Sequence, residues 1–267
     1  VSFESEPEIR IDTIQEHIIS QLNTKDRNEF LYLLYRNDNK NLLYILRKKK
    51  RIQEAPLVSF HTPSAFTYQE LEEGMIGINS LPEYMNEFLR ITSGNYEGRK
   101  TENYLTQLYF EECIQRTGDF LSNYFTFKRD VKNIVSALNA KKFNYNLSDA
   151  LIGTGDIVNR IMKSTTIDLG LGKNFPFIDD LIALIDQGNF QALERRVDSI
   201  LFDYLTANAA LDRFSREAVY EYFLRLSLIS RWIQLNTDKG SVKLKQILDW
   251  VISTGSLPTE LSMENTT

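Results

Sequence analysis

Two histidines, His17 and His61, and one cysteine, Cys113, are the whole complement of imidazole and thiol groups in this sequence. Neither histidine stands three residues after a glutamate, so the Glu-x-x-His of di-iron bundles is missing. There is no His-Glu-x-x-His and no Cys-x-x-Cys, which removes the common zinc signatures. Cys113 sits in the helical stretch Leu108–Ile114, where a buried structural thiol is expected rather than a nucleophile. Gly170-Leu171-Gly172-Lys173 has the look of a phosphate loop, but the Walker pattern needs Gly where Ile167 stands and Ser or Thr where Asn174 stands. Gly153-Thr154-Gly155 reads as a turn ahead of a helix capped by Asp156. Asp179-Asp180 resembles the paired aspartates of helical prenyl-transfer enzymes, which need a further carboxylate where this chain has Ala183. Glu72-Glu73 and Glu111-Glu112 point about 100° apart on a helix, so both pairs are expected to be solvated. The inventory points away from catalysis, and no metal or cofactor is expected.

The most conspicuous charged feature is Arg47-Lys48-Lys49-Lys50-Arg51. Five consecutive residues spread around a whole helix and form no stripe. They stand where a helix should end, and cations there complement the negative end of its dipole. As a binding feature, the run would suit an acidic protein surface. The chain as a whole carries 31 Lys and Arg against 36 Asp and Glu, a net charge of −5, which argues against a dedicated nucleic-acid binder. A single cysteine implies no oxidising compartment. No run of 18 apolar residues occurs, so no membrane span is expected, and the start VSFESEPEIR lacks the features of a signal peptide. A cytoplasmic location is expected. Because residue 1 is Val, a preceding segment is expected too.

The elements that must position these groups are helices. Glycine (12) and proline (6) are scarce over 267 residues, so the chain turns rarely. Ile11, Ile14, Ile18 and Leu22 keep helical spacing, as do Phe30, Leu33, Leu34 and then Leu42, Leu43, Leu46. Thr24 is placed as an N-cap, and capping boxes are expected at Thr67–Glu70 and at Ser80–Glu83, with Pro82 in the first turn. Ile52–Thr67 reads as irregular and Asn95–Gly98 as a loop. A long helical region follows from about Lys100 to Phe143. Turn-rich stretches at Leu147–Gly155 and Thr165–Pro176 flank a short helix near Asp156–Met162. Helices are then expected at Phe177–Asp186, at Phe190–Leu211, from a cap at Ser215 to about Asp238, and at Val242–Ile252. The expected fold is all-α, an elongated multi-lobed bundle. Its lobes are residues 1–95, 96–187 and 188–252, followed by a disordered tail at 253–267.

One internal repeat is visible. Residues 35–50 lie on residues 127–142 without a gap, at an offset of 92: Asp38 on Asp130, Lys40 on Lys132, Asn41 on Asn133, Leu46 on Leu138, and a pair of lysines on a pair of lysines. Asp and Asn three apart share a helix face, and the apolar residues after each Asn turn to the core. The period is too long for a solenoid and points to duplicated helical lobes.

These repeated residues resemble the Asp-x-x-Asn-Leu/Ile unit of the C-type stalk component of archaeal-type rotary ATPases, whose eukaryotic counterpart is the d-type component of the vacuolar (V-type) ATPase. The stretch Phe214–Trp232, with Glu217, Tyr222 and Arg231, is similar to the last long helix of that family. More closely, the chain resembles a bacterial family of uncharacterised proteins encoded beside V-type ATPase genes. The resemblance implies a non-catalytic coupling subunit between the central stalk and the membrane rotor ring, peripheral to the inner membrane. A stand-alone helical scaffold that binds another protein is the alternative. Asp38, Asn41, Asp130 and Asn133 are then expected to hold neighbouring helices together within each lobe. Arg225 or Arg231 is expected to pair with one of these carboxylates or with Glu217.

Overall fold

The computed structural model describes residues 11–49, 60–92 and 98–234. Its helices are α1 (Ile11–Gln21), α2 (Thr24–Leu31), α3 (Tyr35–Lys49), α4 (Tyr68–Met75), α5 (Glu83–Thr92), α6 (Gly98–Arg116), α7 (Asp119–Lys142), α8 (Leu147–Ala150), α9 (Asp156–Lys163), α10 (Ile178–Asp186), α11 (Phe190–Ala207) and α12 (Arg216–Gln234). The described residues contain no strand, so the fold is an all-α bundle. Lys50 and Arg51, residues 52–59, most of the Asn95–Gly98 loop, the Val242–Ile252 helix and the tail lie outside the described residues.

Local chemistry sets the helix ends. The Thr67–Glu70 capping box forms in both directions, with each side chain bonded to the other residue's amide. Ser215 Oγ accepts the Ala218 amide at 3.2 Å, as its position requires. Asn189 caps α11 in the same way through the Ala192 amide. Each such bond satisfies a donor the first turn leaves without a helical partner.

Several boundaries differ from the sequence reading. The cap of α2 is Asn23, whose side chain accepts the Asp26 amide at 3.0 Å, so Thr24 is already inside the helix. Ser80 and Glu83 form no box: Glu83 turns out to Arg116, and the Tyr84 amide is taken by the Glu112 carboxylate at 2.9 Å. Gly155, not Asp156, is the cap of α9. The 100–143 region is two helices, broken at Thr117-Gly118, where the Thr117 hydroxyl bends back onto the Cys113 carbonyl. The eleventh helix stops at Ala207, four residues early.

Tertiary packing centres on α6 and α7, which form a helical hairpin. One side of it receives α3 and α5 against α6, and the other receives α10 and α11 against α7. The chain also closes on itself, because α1 packs against α12. Arg216 at the start of α12 pairs with Asp26 and Glu29, and the Tyr220 hydroxyl donates to the Asp26 carbonyl at 2.9 Å. Beneath these contacts Phe30 meets Phe223 edge-on at 4.7 Å. The buried apolar residues form a core that runs from Ile11 to Ile229.

Candidate functional site

The repeated helices carry the same construction twice. Asn41, fully buried on α3, donates its side-chain amide to the His61 carbonyl at 3.0 Å and accepts the His61 amide at 2.7 Å. Asn133, fully buried on α7, donates to the Ile152 carbonyl at 3.0 Å and accepts the Ile152 amide at 2.8 Å. In each case one carboxamide satisfies both backbone groups of a single residue in the irregular segment that follows. These segments have no helical partners, so their polar groups need this supply. An asparagine is suited to it because its head group carries a donor and an acceptor side by side.

The aspartates of the repeat diverge. Asp38 is fully buried and accepts two amides, from Ala65 at 3.0 Å and Phe66 at 3.2 Å. Burial pushes its carboxyl up to about 7, against the two amides that favour the charged form. With Asn37 bonded to the Pro63 carbonyl and Asn41 to His61, the face of α3 holds residues 61–66 along its length. Asp130 instead bonds its neighbour Arg129 at 3.4 Å and holds no backbone segment. The expectation of one role for both aspartates therefore fails. The Asn37–Asn41 face of α3 reaches five following backbone groups, whereas the equivalent stretch of α7 is served by Asn133 alone.

The arginines of α12 pair elsewhere than expected. Arg231 takes both oxygens of Asp198, at 2.9 and 2.8 Å, and also Glu194, all on α11. Arg225 pairs with Glu221 one turn before it, at 2.9 Å, and stacks over the Phe202 ring. Glu217 bonds Arg216. None of these bonds reaches Asp38 or Asp130. Tyr222 projects outward and is 42% exposed. In the basic run, Arg47 pairs with Glu102, Lys49 with Glu72 at 3.4 Å, and Lys48 lies over the rings of Tyr44 and Tyr68. The described part of that run is thus engaged by its own chain, at a helix terminus.

Other expectations resolve through geometry. Glu112 is not solvated: it accepts the Tyr84 amide and the Tyr32 hydroxyl. Cys113 is buried, and burial pushes its thiol well up, away from the reactive thiolate. In the Gly170–Lys173 loop, left-handed residues at Leu169 (φ 59°) and Gly170 (φ 65°) turn the Gly170 and Gly172 amides onto Asp168, at 3.0 and 3.3 Å. The amides that would hold a phosphate already hold a carboxylate of the chain. Among the described residues no group of three or more His, Cys, Asp or Glu is placed to hold a metal ion.

Sequence reasoning missed one constellation. A cavity of about 370 Å³ lies between α3, α6, α7, α11 and α12. Arg36 and Lys40 enter it from α3, Lys128 and Lys132 from α7, and Arg231 from α12, while Glu102, Glu194 and Asp198 supply the carboxylates. Arg36 aligns with Lys128 and Lys40 with Lys132 at the same offset of 92, so the repeat is itself the signal that would have found it. Burial pushes Lys128 down to about 7 and Lys40 down to about 8, and the nearby Arg36 charge adds to both shifts. On a separate face Phe143, Tyr145 and Phe190 are about half exposed, with the Phe143 ring beside each of the other two.

Residues 1–255 match the model of a family described as protein of unknown function (DUF2764), and the chain belongs to that family. No curated protein and no solved structure matches it.

Proposed function

We propose that this member of the DUF2764 family is a non-catalytic coupling subunit of a bacterial V-type ATPase, standing between the central stalk and the membrane rotor ring. The observation that carries the reading is the matched pair of side-chain clasps, Asn41 on His61 and Asn133 on Ile152. Two helices related in sequence make the same two bonds to the segment behind them, as copies of one ancestral lobe would. Duplicated helical lobes are what the resemblance to the C-type component of rotary ATPases implies.

The role is mechanical in this reading. Torque is transmitted by a body that does not bend, and buried polar groups satisfied on both sides resist local opening because breaking one exposes an unpaired group. No helix among the described residues is long and apolar enough to cross a membrane; in this reading the chain meets the membrane through the rotor ring on which it stands.

The test is copurification. A tagged chain, expressed at its native level, is expected to come down from membranes with stalk and rotor-ring subunits. A V-type ATPase isolated from the same cells in fully coupled, ion-pumping form without this chain would refute the proposal. The scaffold alternative is favoured by the exposed Phe143–Tyr145–Phe190 patch, which suits a protein partner. That reading expects a partner from the soluble fraction and no stalk subunits.

A further inference from the structure

The cavity between the two repeats holds five cations against three carboxylates, and the coupling role gives them nothing to do. The carboxylates are already engaged: Asp198 and Glu194 by Arg231, and Glu102 by Arg47. Arg36, Lys40, Lys128 and Lys132 make no hydrogen bond or close ion pair among the described residues: Lys128 lies over the Tyr124 ring at 5.3 Å, and the lysines feel Asp198, Glu194 and Glu102 only at longer range. Like charges gathered in one cleft repel one another, and Lys128, which is less exposed than Arg36, Lys40 and Lys132, also loses hydration. An anion bound between them would relieve that repulsion, and perturbed cations gathered in a cleft mark a candidate binding site.

We propose that this cavity binds a compact phosphate-bearing anion of the pyrophosphate or nucleoside-triphosphate type, held between Arg36 and Lys40 of one repeat and Lys128 and Lys132 of the other. Within each pair the residues are four apart, so they lie on one helix face, one turn from each other. The two helices therefore present matching pairs of cations, which suits a ligand with two or more adjacent phosphates. Arg36 supplies a fork for two phosphate oxygens and the lysines supply point charges. The volume lies at the small-ligand end of pocket sizes and is too little for an acidic helix about 10 Å wide. The lowered lysines support the reading, because an arriving anion would restore their protons.

The experiment is calorimetric titration of the full chain at pH 7 with sodium pyrophosphate, with ATP and with a poly-aspartate peptide. One site is expected for at least one of the two phosphate probes. Arg36→Met and Lys132→Met, both at exposed positions, should each weaken it about tenfold with an unchanged circular dichroism spectrum. Lys173→Met, outside the cavity, should leave it unchanged. Tighter binding of ATP would assign a nucleotide, and equal binding a free polyphosphate. The proposal is overturned if neither phosphate probe binds, if Lys173→Met weakens binding as much as the cavity variants, or if poly-aspartate binds in preference to both. Because the readout is binding by the isolated protein, it is independent of whether the chain copurifies with an ATPase.

Discussion

Arg231 on α12 grips both carboxylate oxygens of Asp198 on α11, and Asp198 is 2% exposed. The pair ties α11 to α12 and shares no hydrogen-bond partner with Asp38, another buried carboxylate, on α3. Removing the cation leaves a buried carboxylate with its main counter-charge gone. Arg231→Ala is therefore expected to destabilise the fold by about 2–4 kcal/mol in chemical denaturation. Glu194→Ala, which removes the exposed partner, should cost less than about 1 kcal/mol. Equal losses from the two variants would contradict the assignment.

The two asparagine clasps make a paired prediction. Each Asn→Ala change strands one amide and one carbonyl, so Asn41→Ala and Asn133→Ala should each cost about 2–3 kcal/mol. Asp130→Ala removes only a bond to Arg129 and should cost clearly less. Denaturant titration of the three variants checks the order. An Asp130 variant as damaging as the asparagine variants would sink the division of roles within the repeat.

Asp38 makes stability depend on pH. Its carboxyl titrates near 3.8 when free and at about 7 in the fold, so the folded state holds the extra proton between these values. Its contribution is therefore fully present below about 4, falls as pH rises through the window, and levels off above about 7. Asp38→Asn cannot titrate at this position, so the wild type should lose stability relative to the variant from pH 4 to pH 7. A difference constant over that range would refute the assignment.

Lys128 acts in the opposite direction. It titrates at about 7 in the fold and at 10.5 when free, so the folded state lacks a proton over this interval. Its destabilisation is complete below about 7 and is relieved as pH rises toward 10. The groups around it are Arg36 and Lys40 from α3, Glu102, Tyr109 and Cys113 from α6, Tyr124 and Lys132 from α7, Glu194 and Asp198 from α11, and Arg231 from α12. Lys128→Met should raise stability at pH 6–7 by on the order of 1 kcal/mol while weakening pyrophosphate binding. Anion affinity of the wild type should fall between pH 7 and pH 9 as Lys128 and Lys40 lose their protons. A less stable variant, or a pH-independent affinity, would contradict this.

Helices, two of their caps (Thr67–Glu70 and Ser215) and the repeat are legible in the sequence, because 3.6-residue periodicity and capping are properties of neighbours along the chain. Asn41 and Asn133 can be picked out because each sits three residues after an aspartate and just before the apolar residues that face the core. Their partners cannot be, since His61 and Ile152 lie in irregular segments with no pattern to read. The resemblance implies that Arg225 or Arg231 pairs with a repeat aspartate or with Glu217, yet Arg231 holds Asp198; helical spacing points Glu112 toward solvent, yet that carboxylate takes the Tyr84 amide at the start of α5. Both differences have one cause. Which side chains meet across two helices depends on how each helix is rotated and where it crosses its neighbour, and that is settled by the packing of the whole core. The same packing brings Arg36 and Lys128, 92 residues apart, into one cavity. The sequence by itself determined what each helix offers on its faces; the tertiary structure decided which offers meet, because a contact between helices is set by geometry that no single helix contains.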